Sequence, residues 1–403
     1  MVNRIFVALI VLLFLPGVYL TLADLIPAPH QEDFGAYYVA ARAMSTGDSP
    51  YDPIAAARLA EASGVAQYSP YIYPPLLALM LRPLAALPYS AAAAIWFVMS
   101  AAALLAALWL LRPVAGLPWR TYRWLMAAAF FLPPVHHTLQ HGQINHVLLL
   151  LVAGGAVGGA GSAAWVGLAA ALKVFPATLG GAYISSGRIT ALAMAIAGGA
   201  FTTLAAWFVA PAASLEFVAR VLPQLAADRR LAPNNQSIYA VMARWFEPLP
   251  FVTPIVDAPD AGRLAASAIA LAVVAITIRA LVVVRMVKGE MIDISRLSLV
   301  LAATLIVSPL TWDHYYVLLL LPAAGLYRSS SDDRSVRTLW LAGVVLLLSH
   351  RYWPLMFAMK SPLFMSSGVA GVIVLWVALL KALSYDRVCA VKPRPSDTSL
   401  SAI

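Results

Sequence analysis

The chain has 403 residues, 62% of them hydrophobic and 11% charged, with a mean hydropathy of +0.82. Soluble domains carry about 25% charged residues, so a chain this apolar has too few polar groups to cover its surface in water, and the composition identifies a polytopic membrane protein. The net charge of +9, from 27 Lys+Arg against 18 Asp+Glu, sits in short basic loops, the pattern of cytoplasmic flanks beside anionic lipid rather than of a nucleic-acid footprint.

Inside hydrocarbon every backbone polar group must bond within the protein, which leaves helices or closed barrels. Alternating strand patterns are absent, so the expected fold class is all-α. Cys389 is the one cysteine and forms no intrachain disulfide.

The N-terminus reads Met1-Val-Asn-Arg4 and is then apolar to Leu22. That run has the length of a spanning helix rather than a signal sequence, and Thr21-Leu22-Ala23 is a poor cleavage motif. With Arg4 inside, a first helix over roughly 4–24 delivers Asp33 to the extracytoplasmic face. Residues 25–89 then form a long outer loop. Its amphipathic stretches at 33–46 and 53–66, and a third helix opened by Tyr71-Ile-Tyr-Pro-Pro75, are expected to lie on the membrane surface, because Arg82 and Pro83 argue against a crossing.

A second span is expected at 90–111, followed by a cytoplasmic turn with Arg112, Arg120 and Arg123. A third span over about 122–137 emerges outside at the polar stretch His136 to Asn145, and a fourth returns from about 146. Between 162 and 187 the chain is apolar except for Lys173, with Pro176 close behind, which predicts two short helices meeting there. Arg188 opens a span to about 210. A second outer loop, 211–260, holds Asp228-Arg-Arg230 and Pro233-Asn-Asn-Gln-Ser237. Spans at 262–284 and up to Ser308, two further crossings to about 352, and a last helix at 367–383 complete a single domain over 1–383. A basic tail, 384–403, is expected to be disordered and cytoplasmic. The count is about twelve crossings with both termini cytoplasmic, in the plasma (inner) membrane.

This topology gathers Asp33, the His136–Asn145 cluster, Asn234 to Ser237 and Trp312 to Tyr316 on one outer face. Ionisable groups near a membrane are costly unless they line a cavity. Each has a plainer reading. Asp33 suits a solvated helix N-cap. His136, His137 and His141 are interfacial, or metal ligands if they share a helical face, although Pro133-Pro134 and Gly142 imply a loop. Asn234 to Ser237 fits an ordinary turn, and Asn235-Gln-Ser237 a chance glycosylation sequon. Lys173 can snorkel. Arg229-Arg230 is an ordinary solvated pair, yet outside it breaks the positive-inside trend and suits an anionic ligand.

Seven segments occur in an order that resembles glycosyltransferase family 87, the polyprenyl-phosphate-mannose-dependent α-mannosyltransferases of the GT-C superfamily. They are Asp33-Phe-Gly-Ala-Tyr-Tyr, Gly47-Asp-Ser-Pro-Tyr-Asp-Pro53, Tyr73-Pro-Pro75, Gly142-Gln-Ile-Asn145, Lys173-Val-Phe-Pro176, Asn235-Gln-Ser237 and Ser308-Pro-Leu-Thr-Trp-Asp-His314. The resemblance covers residues 33–316. It implies a GT-C fold with membrane-surface helices in the first outer loop, and a catalytic carboxylate near the end of the first helix, where Asp33 stands.

The reaction so implied moves a hexose, mannose by family expectation, from a polyprenyl-phosphate donor to a lipid-linked or glycan acceptor at the extracytoplasmic face. Displacing phosphate from an anomeric carbon passes through an oxocarbenium-like state. Phosphate leaves readily, so one base to deprotonate the acceptor hydroxyl suffices for an inverting single displacement.

Asp33 is the expected base, with His314 as its rival or partner. Arg229, Arg230, His136 and His137 are the candidates for the donor phosphate. Tyr37, Tyr73, Gln143, Asn145, Asn235, Gln236 and Trp312 are candidates for sugar and acceptor. No DxD-type motif stands in a suitable loop, so no metal ligands are assigned and no cofactor is required. The expected partners are the bilayer, the lipid-linked donor and the acceptor, without nucleic acid. Two rivals from other classes are a transporter or flippase of a lipid-linked sugar and a non-catalytic partner in envelope assembly.

Overall fold

The computed structural model describes residues 2–25, 31–227, 231–330, 333–350 and 358–391. Among them there is no β-strand, only two isolated bridges, and the architecture is all-helical. Four helices are long and apolar enough to cross a membrane: Tyr89–Ala115, Ile189–Val209, Pro259–Val283 and Ser367–Tyr385. Their outward faces are apolar, with Val98, Phe208 and Leu271 exposed by 65%, 83% and 71%, as lipid contact requires and water would not tolerate.

The N-terminal helix α1 (Val2–Leu25) precedes three helices, α2 (Glu32–Thr46), α3 (Pro53–Ala62) and α4 (Pro75–Ala85), in the stretch expected to lie on the membrane surface. Of these, α2 is covered by protein rather than left with an open face. Every residue from Phe34 to Ala41 is buried, because its aromatics pack on all sides: Phe34 stacks on Trp96 at 5.5 Å and Tyr37 meets Tyr73 edge-on at 5.0 Å. Gly35 allows this closeness, since a Cβ there would lie 2.6 Å from the Gln67 carbonyl oxygen. By contrast α3 keeps an open face, with Ile54 exposed, and begins as its sequence dictates, at Asp52 capping Ile54 N with Pro53 in the first turn.

The long helix α5 (Tyr89–Ala115) starts beside α2, where Tyr89 meets Tyr38, and its 27 residues carry it about 40 Å to the other end of the molecule. The expected third span is two helices, α6 (Trp119–Ala129) and α7 (Pro133–His141). Eleven residues in α6 reach only about 17 Å, too little for a crossing. The Pro133-Pro134 pair opens α7 instead of breaking it, because the first turn needs no proline N–H, and Gly142 closes it in the left-handed region at φ 69°. The histidines expected in a loop therefore stand on a helix.

From there α8 (Asn145–Val157) and α9 (Ala164–Leu172) lead to Lys173, and a 3-10 turn, Phe175–Leu179, joins α10 (Gly180–Ser186), matching the short helices expected there. The spanning helix α11 (Ile189–Val209) packs on α9 through small residues: a Cβ on Gly167 would fall 2.0 Å from the Ala195 carbonyl. Such backbone approach drives helix association where lipid removes the hydrophobic term. The stretch expected to be the second outer loop contains α12 (Pro211–Glu216), α13 (Leu222–Ala227) and α14 (Ile238–Phe246), with a π-helical segment Phe217–Val221 between the first two.

The spanning helix α15 (Pro259–Val283) is followed by α16 (Glu290–Val307), a 3-10 segment Asp313–Leu319, α17 (Leu320–Ser329), α18 (Arg334–Ser349), the short α19 (Pro362–Met365) and α20 (Ser367–Val391). Thus α16 is buried over nearly its whole length, from Ile294 to Ile306, and forms the axis of the C-terminal half.

Candidate active site

Four segments meet at the α2 end of α5. Two of them join directly, because the 234–237 and 311–313 loops pair as an antiparallel bridge. Gln236 N donates to Thr311 O at 2.6 Å and Asp313 N to Asn234 O at 3.1 Å. The α2 start docks on the α7 end through Gln31 N donating to Gln140 O at 2.8 Å. This contact needs Gly142, where a Cβ would lie 2.6 Å from Phe34 Cβ.

Asp33 sits in the first turn of α2, but Gln31 occupies the N-cap position, so the carboxylate caps nothing. Its Oδ1 accepts from Ser69 Oγ at 2.7 Å and its Oδ2 from Gln143 Nε2 at 2.6 Å. Gln143 is held in turn by Tyr37 and Tyr73, whose hydroxyls donate to its Oε1 at 3.1 and 2.9 Å. Burial raises the Asp33 pKa above the usual carboxylate range, and the Ser69, His141 and Gln143 interactions offset part of that rise. The result is a carboxyl group that binds a proton more readily than an exposed one.

Asp33 lines a polar cavity of about 180 Å³ with Glu32, Ser69, Tyr73, His141, Gln143, Asn234, Trp312 and His314. A second cavity of about 260 Å³ adjoins it, sharing Ile72 and Tyr73, and its walls are mainly apolar: Val174, Phe175, Phe217, Leu222, Leu225 and Leu310. Lys173 lines this second cavity beside Tyr73. Its ammonium lies 3.7 Å from the centre of the Tyr315 ring and donates to Asn145 Oδ1 at 3.2 Å and Tyr73 Oη at 3.5 Å. Asp33, Gln143, Tyr73 and Lys173 thus form one hydrogen-bonded chain from the polar cavity to the apolar one.

His314 is 4% exposed and lines the polar cavity, and neither ring nitrogen has a hydrogen-bond partner. Burial holds its pKa well below the ordinary histidine value although Asp313 pulls the other way, so the ring is neutral. His137 is committed elsewhere, with Nδ1 3.0 Å from Asp313 Oδ2. At Asp313 burial acts to raise the pKa but is outweighed by His137, His314 and His350, and the carboxyl is held well below its usual range.

Of the residues expected at the site, Asp33, Tyr73, Gln143, Trp312 and His314 line the polar cavity. Tyr37 and Asn145 stand behind it: Tyr37 holds Gln143, while Asn145 bridges Lys173 and the His314 carbonyl, to which its Nδ2 donates at 3.3 Å. Asn235 and Gln236 do not reach it. Asn235 Oδ1 accepts from Ser237 N and Thr311 N, and Gln236 ties α19 and α20 down through Met365 O and Val369 N. Buried this way, Asn235 is also no glycosylation acceptor. His136 and His137 belong to α7 and line neither cavity. Arg229 and Arg230 lie outside the described residues.

Sequence reasoning passes over Ser69 and Glu32 at the cavity, places Asn234 on the outer face without a role, and gives Lys173 snorkelling as its plainer reading. His141 was among the histidines considered but was given no role; it stands 3.0 Å from Glu32 Oε1. Burial acts to lower the His141 pKa, but Glu32, Asp33 and Asp313 outweigh it and raise it overall. Ligand atoms of Glu32, Asp33 and His141 lie within 4.8 Å of one another, the set among the described residues with which a cation could be held. Glu32, Asn234 and His141 each directly precede a family segment, and an acidic pair followed by a His-containing helix end is the available signal.

Chemically, the arrangement offers a tuned carboxylate over a polar cavity, neutral hydrogen-bonding groups around it, and a cation at the mouth of an apolar cleft. A family model for glycosyltransferase family 87 matches residues 71–309. The chain is also similar to a protein of Mycolicibacterium smegmatis described as a polyprenol-phosphate-mannose-dependent alpha-(1-2)-phosphatidylinositol pentamannoside mannosyltransferase. The two are 28% identical over 302 residues, which span 72% of this chain and 69% of the relative. With the family model covering more than half of its length, this all-helical chain belongs to glycosyltransferase family 87.

Proposed function

We propose that the protein transfers a mannosyl group from a polyprenyl-phosphate-mannose donor to a lipid-linked or glycan acceptor, at the extracytoplasmic face of the plasma membrane. One observation carries this reading: the polar cavity holding Asp33 and the apolar cavity holding Lys173 adjoin at Tyr73. A lipid phosphosugar has the same three-part chemistry, an apolar chain, an anionic phosphate and a polar sugar, in the same order.

In this reading the prenyl chain lies along Phe175, Phe217 and Leu225, the phosphate meets Lys173, and the sugar faces Asp33. The acceptor hydroxyl forms a bond to the anomeric carbon as the bond from that carbon to the phosphate oxygen breaks. The hydroxyl proton passes to Asp33, and the electron pair leaves with the polyprenyl phosphate. Lys173 offsets the charge growing on that phosphate through a charge-assisted hydrogen bond. It takes the role that sequence reasoning gave to Arg229, Arg230, His136 and His137.

Between the two candidate bases, burial favours Asp33. A raised carboxyl pKa improves a general base, whereas the lowered pKa of His314 makes a weak one. His314, neutral with both nitrogens unpartnered, is suited to hydrogen-bond a sugar or acceptor hydroxyl. This chemistry requires no metal. Glu32 stands beside His141, and both Asp33 oxygens already accept hydrogen bonds.

The finer architecture belongs to the same proposal: a GT-C fold of about twelve crossings with both termini cytoplasmic, the shorter apolar helices pairing to complete spans. The test is transfer by purified protein in liposomes, from radiolabelled polyprenyl-phosphate-mannose to membrane glycolipid acceptors. Mannosylated product from the native chain, formed at least about 100-fold more slowly by Asp33→Asn, is expected. Movement of donor across the bilayer without transfer would overturn the reading in favour of a flippase.

A further inference from the structure

At the end of α5 remote from Asp33, a cavity of about 680 Å³ opens between α1, the α5–α6 turn, α17 and α18. Three guanidinium groups line it, each from a different helix: Arg4 on α1, Arg328 on α17 and Arg337 on α18, and no carboxylate is among its described lining residues. Arg328 donates to Pro113 O at 3.2 Å and Arg337 to Ser330 O at 3.0 Å, bonds that hold both groups at the wall. Tyr327 and Trp340 form an aromatic side, edge to face at 5.5 Å. The Trp340 indole Nε1 is buried there with no hydrogen-bond partner, an arrangement that leaves a donor waiting for an acceptor.

Charge alone would suit any phosphate. The apolar surroundings narrow the class. Val7 lines the cavity, and Val7, Val11 and Leu15 are exposed by 51%, 50% and 62% along one face of α1, leading away from the arginines for about 12 Å. A soluble anion has no use for such a track. An acyl chain does, and aromatic and basic residues together are the usual company of a headgroup.

We propose that this cavity binds an anionic glycerophospholipid of the leaflet at the basic end of the molecule. The headgroup phosphate is set between Arg4, Arg328 and Arg337, and one acyl chain lies along Val7, Val11 and Leu15. Trp340 Nε1 donates to a phosphate or ester oxygen. The site is a full α5 length from Asp33 and holds a lipid that is not consumed. The inference rests on the protein's membrane setting and not on its transfer reaction.

The test is titration of the detergent-purified full chain with phosphatidylglycerol and with phosphatidylcholine, read by native mass spectrometry. One phosphatidylglycerol per chain is expected at concentrations where phosphatidylcholine does not bind. Arg4→Gln and Arg337→Gln are each expected to weaken it roughly fivefold, the usual worth of one basic residue at a lipid surface, and Trp340→Phe to weaken it as well. Arg120→Gln and Arg285→Gln, exposed cations outside the cavity, are expected to leave it unchanged. Arg337→Lys keeps the charge and is expected to bind as the native chain does, separating lost charge from lost fold. Phosphatidylglycerol affinity unchanged in Arg4→Gln and Arg337→Gln would overturn the proposal. So would full displacement by millimolar glycerol 3-phosphate, which would assign the cavity to a soluble phosphate. Donor transfer by Arg4→Gln is expected to match the native chain, so loss of lipid binding and loss of catalysis are read separately.

Discussion

Asp33 and Asp313 stand near each other at one end of the molecule, and their surroundings treat them in opposite ways. Asp33 accepts from two neutral donors, Ser69 and Gln143, and faces a cavity; burial dominates and its proton affinity rises. Asp313 lines neither of the two cavities and has His137, His314 and His350 at 3.0, 3.6 and 3.8 Å, which together outweigh burial and lower its pKa. The difference teaches that a buried carboxylate binds a proton more readily among hydroxyl and amide donors than among surrounding imidazole rings. The one with imidazole partners orients those rings and remains an anion.

The largest effect expected from breaking this contrast comes at Asp33 itself. Asp33→Asn keeps the shape and is expected to lower transfer by about 10²–10⁴-fold, the usual worth of a general base, with donor retention in liposomes unchanged. Removing the cation at the other end of the same hydrogen-bonded chain comes next. Lys173→Met is expected to reduce kcat/KM by about 10²–10³-fold, the scale of one lost charge-stabilising donor, measured with the labelled donor. If Lys173→Met transferred normally, the phosphate would have to bind elsewhere.

Gly35→Ala tests the segment that carries Ser69 without touching the chemistry. The new Cβ would press on the Gln67 carbonyl at 2.6 Å, which is expected to destabilise the fold by about 1–3 kcal/mol, read as a lower melting temperature. Asp313→Asn is expected to cost about 1–3 kcal/mol of stability by replacing a charge-assisted contact to His137 with a neutral one, while transfer falls much less than in Asp33→Asn. A collapse of transfer equal to that of Asp33→Asn would erase the distinction between the two carboxylates.

The finest prediction concerns pH. Transfer requires the Asp33 anion, so the rate is expected to fall as pH drops through the raised Asp33 pKa. Ser69→Ala removes a hydrogen bond that lowers that pKa, so the acid limb should move to higher pH. Asp313 has the opposite sign. Its folded pKa is depressed, so the stability it contributes is present above the ordinary carboxylate value and is lost only as pH falls below that value toward its own. Activity is therefore expected to vanish on acidification before Asp313 is protonated, with helix content by circular dichroism still intact.

Much of this was legible in the sequence, and the misses have physical causes. Composition was enough for an all-helical fold with membrane-length helices, and the ordered short motifs name Asp33, Gln143, Trp312 and His314, which line one cavity. Lys173 read as a snorkelling cation because its partners Tyr73, Asn145 and Tyr315 come from three distant segments, and no local pattern announces a cation–π contact. Asn235 and Gln236 looked like sugar ligands because amides suit hydroxyls, yet amides equally suit the loose backbone groups of the turns they staple. The double proline before the histidines read as a break because its position relative to the helix start could not be seen. The α2 stretch read as a surface helix because its aromatics could meet lipid as readily as they meet one another.

Hydrogen bonds that assemble the cavity also set an order in time. Asp33 is joined to Ser69 and Gln143 across 36 and 110 residues, and Lys173 to Tyr73 across 100, so these links need only the first half of the chain. Thr138 and Asn145 reach the His314 carbonyl across 176 and 169 residues. A ribosome adding about 5–20 residues per second therefore inserts the base and the cation roughly 7–30 s before the wall of Trp312 and His314 emerges. During that interval a half-made cavity faces the membrane with its carboxylate uncovered, which makes the newborn chain, rather than the finished enzyme, the form most in need of protection by the insertion machinery.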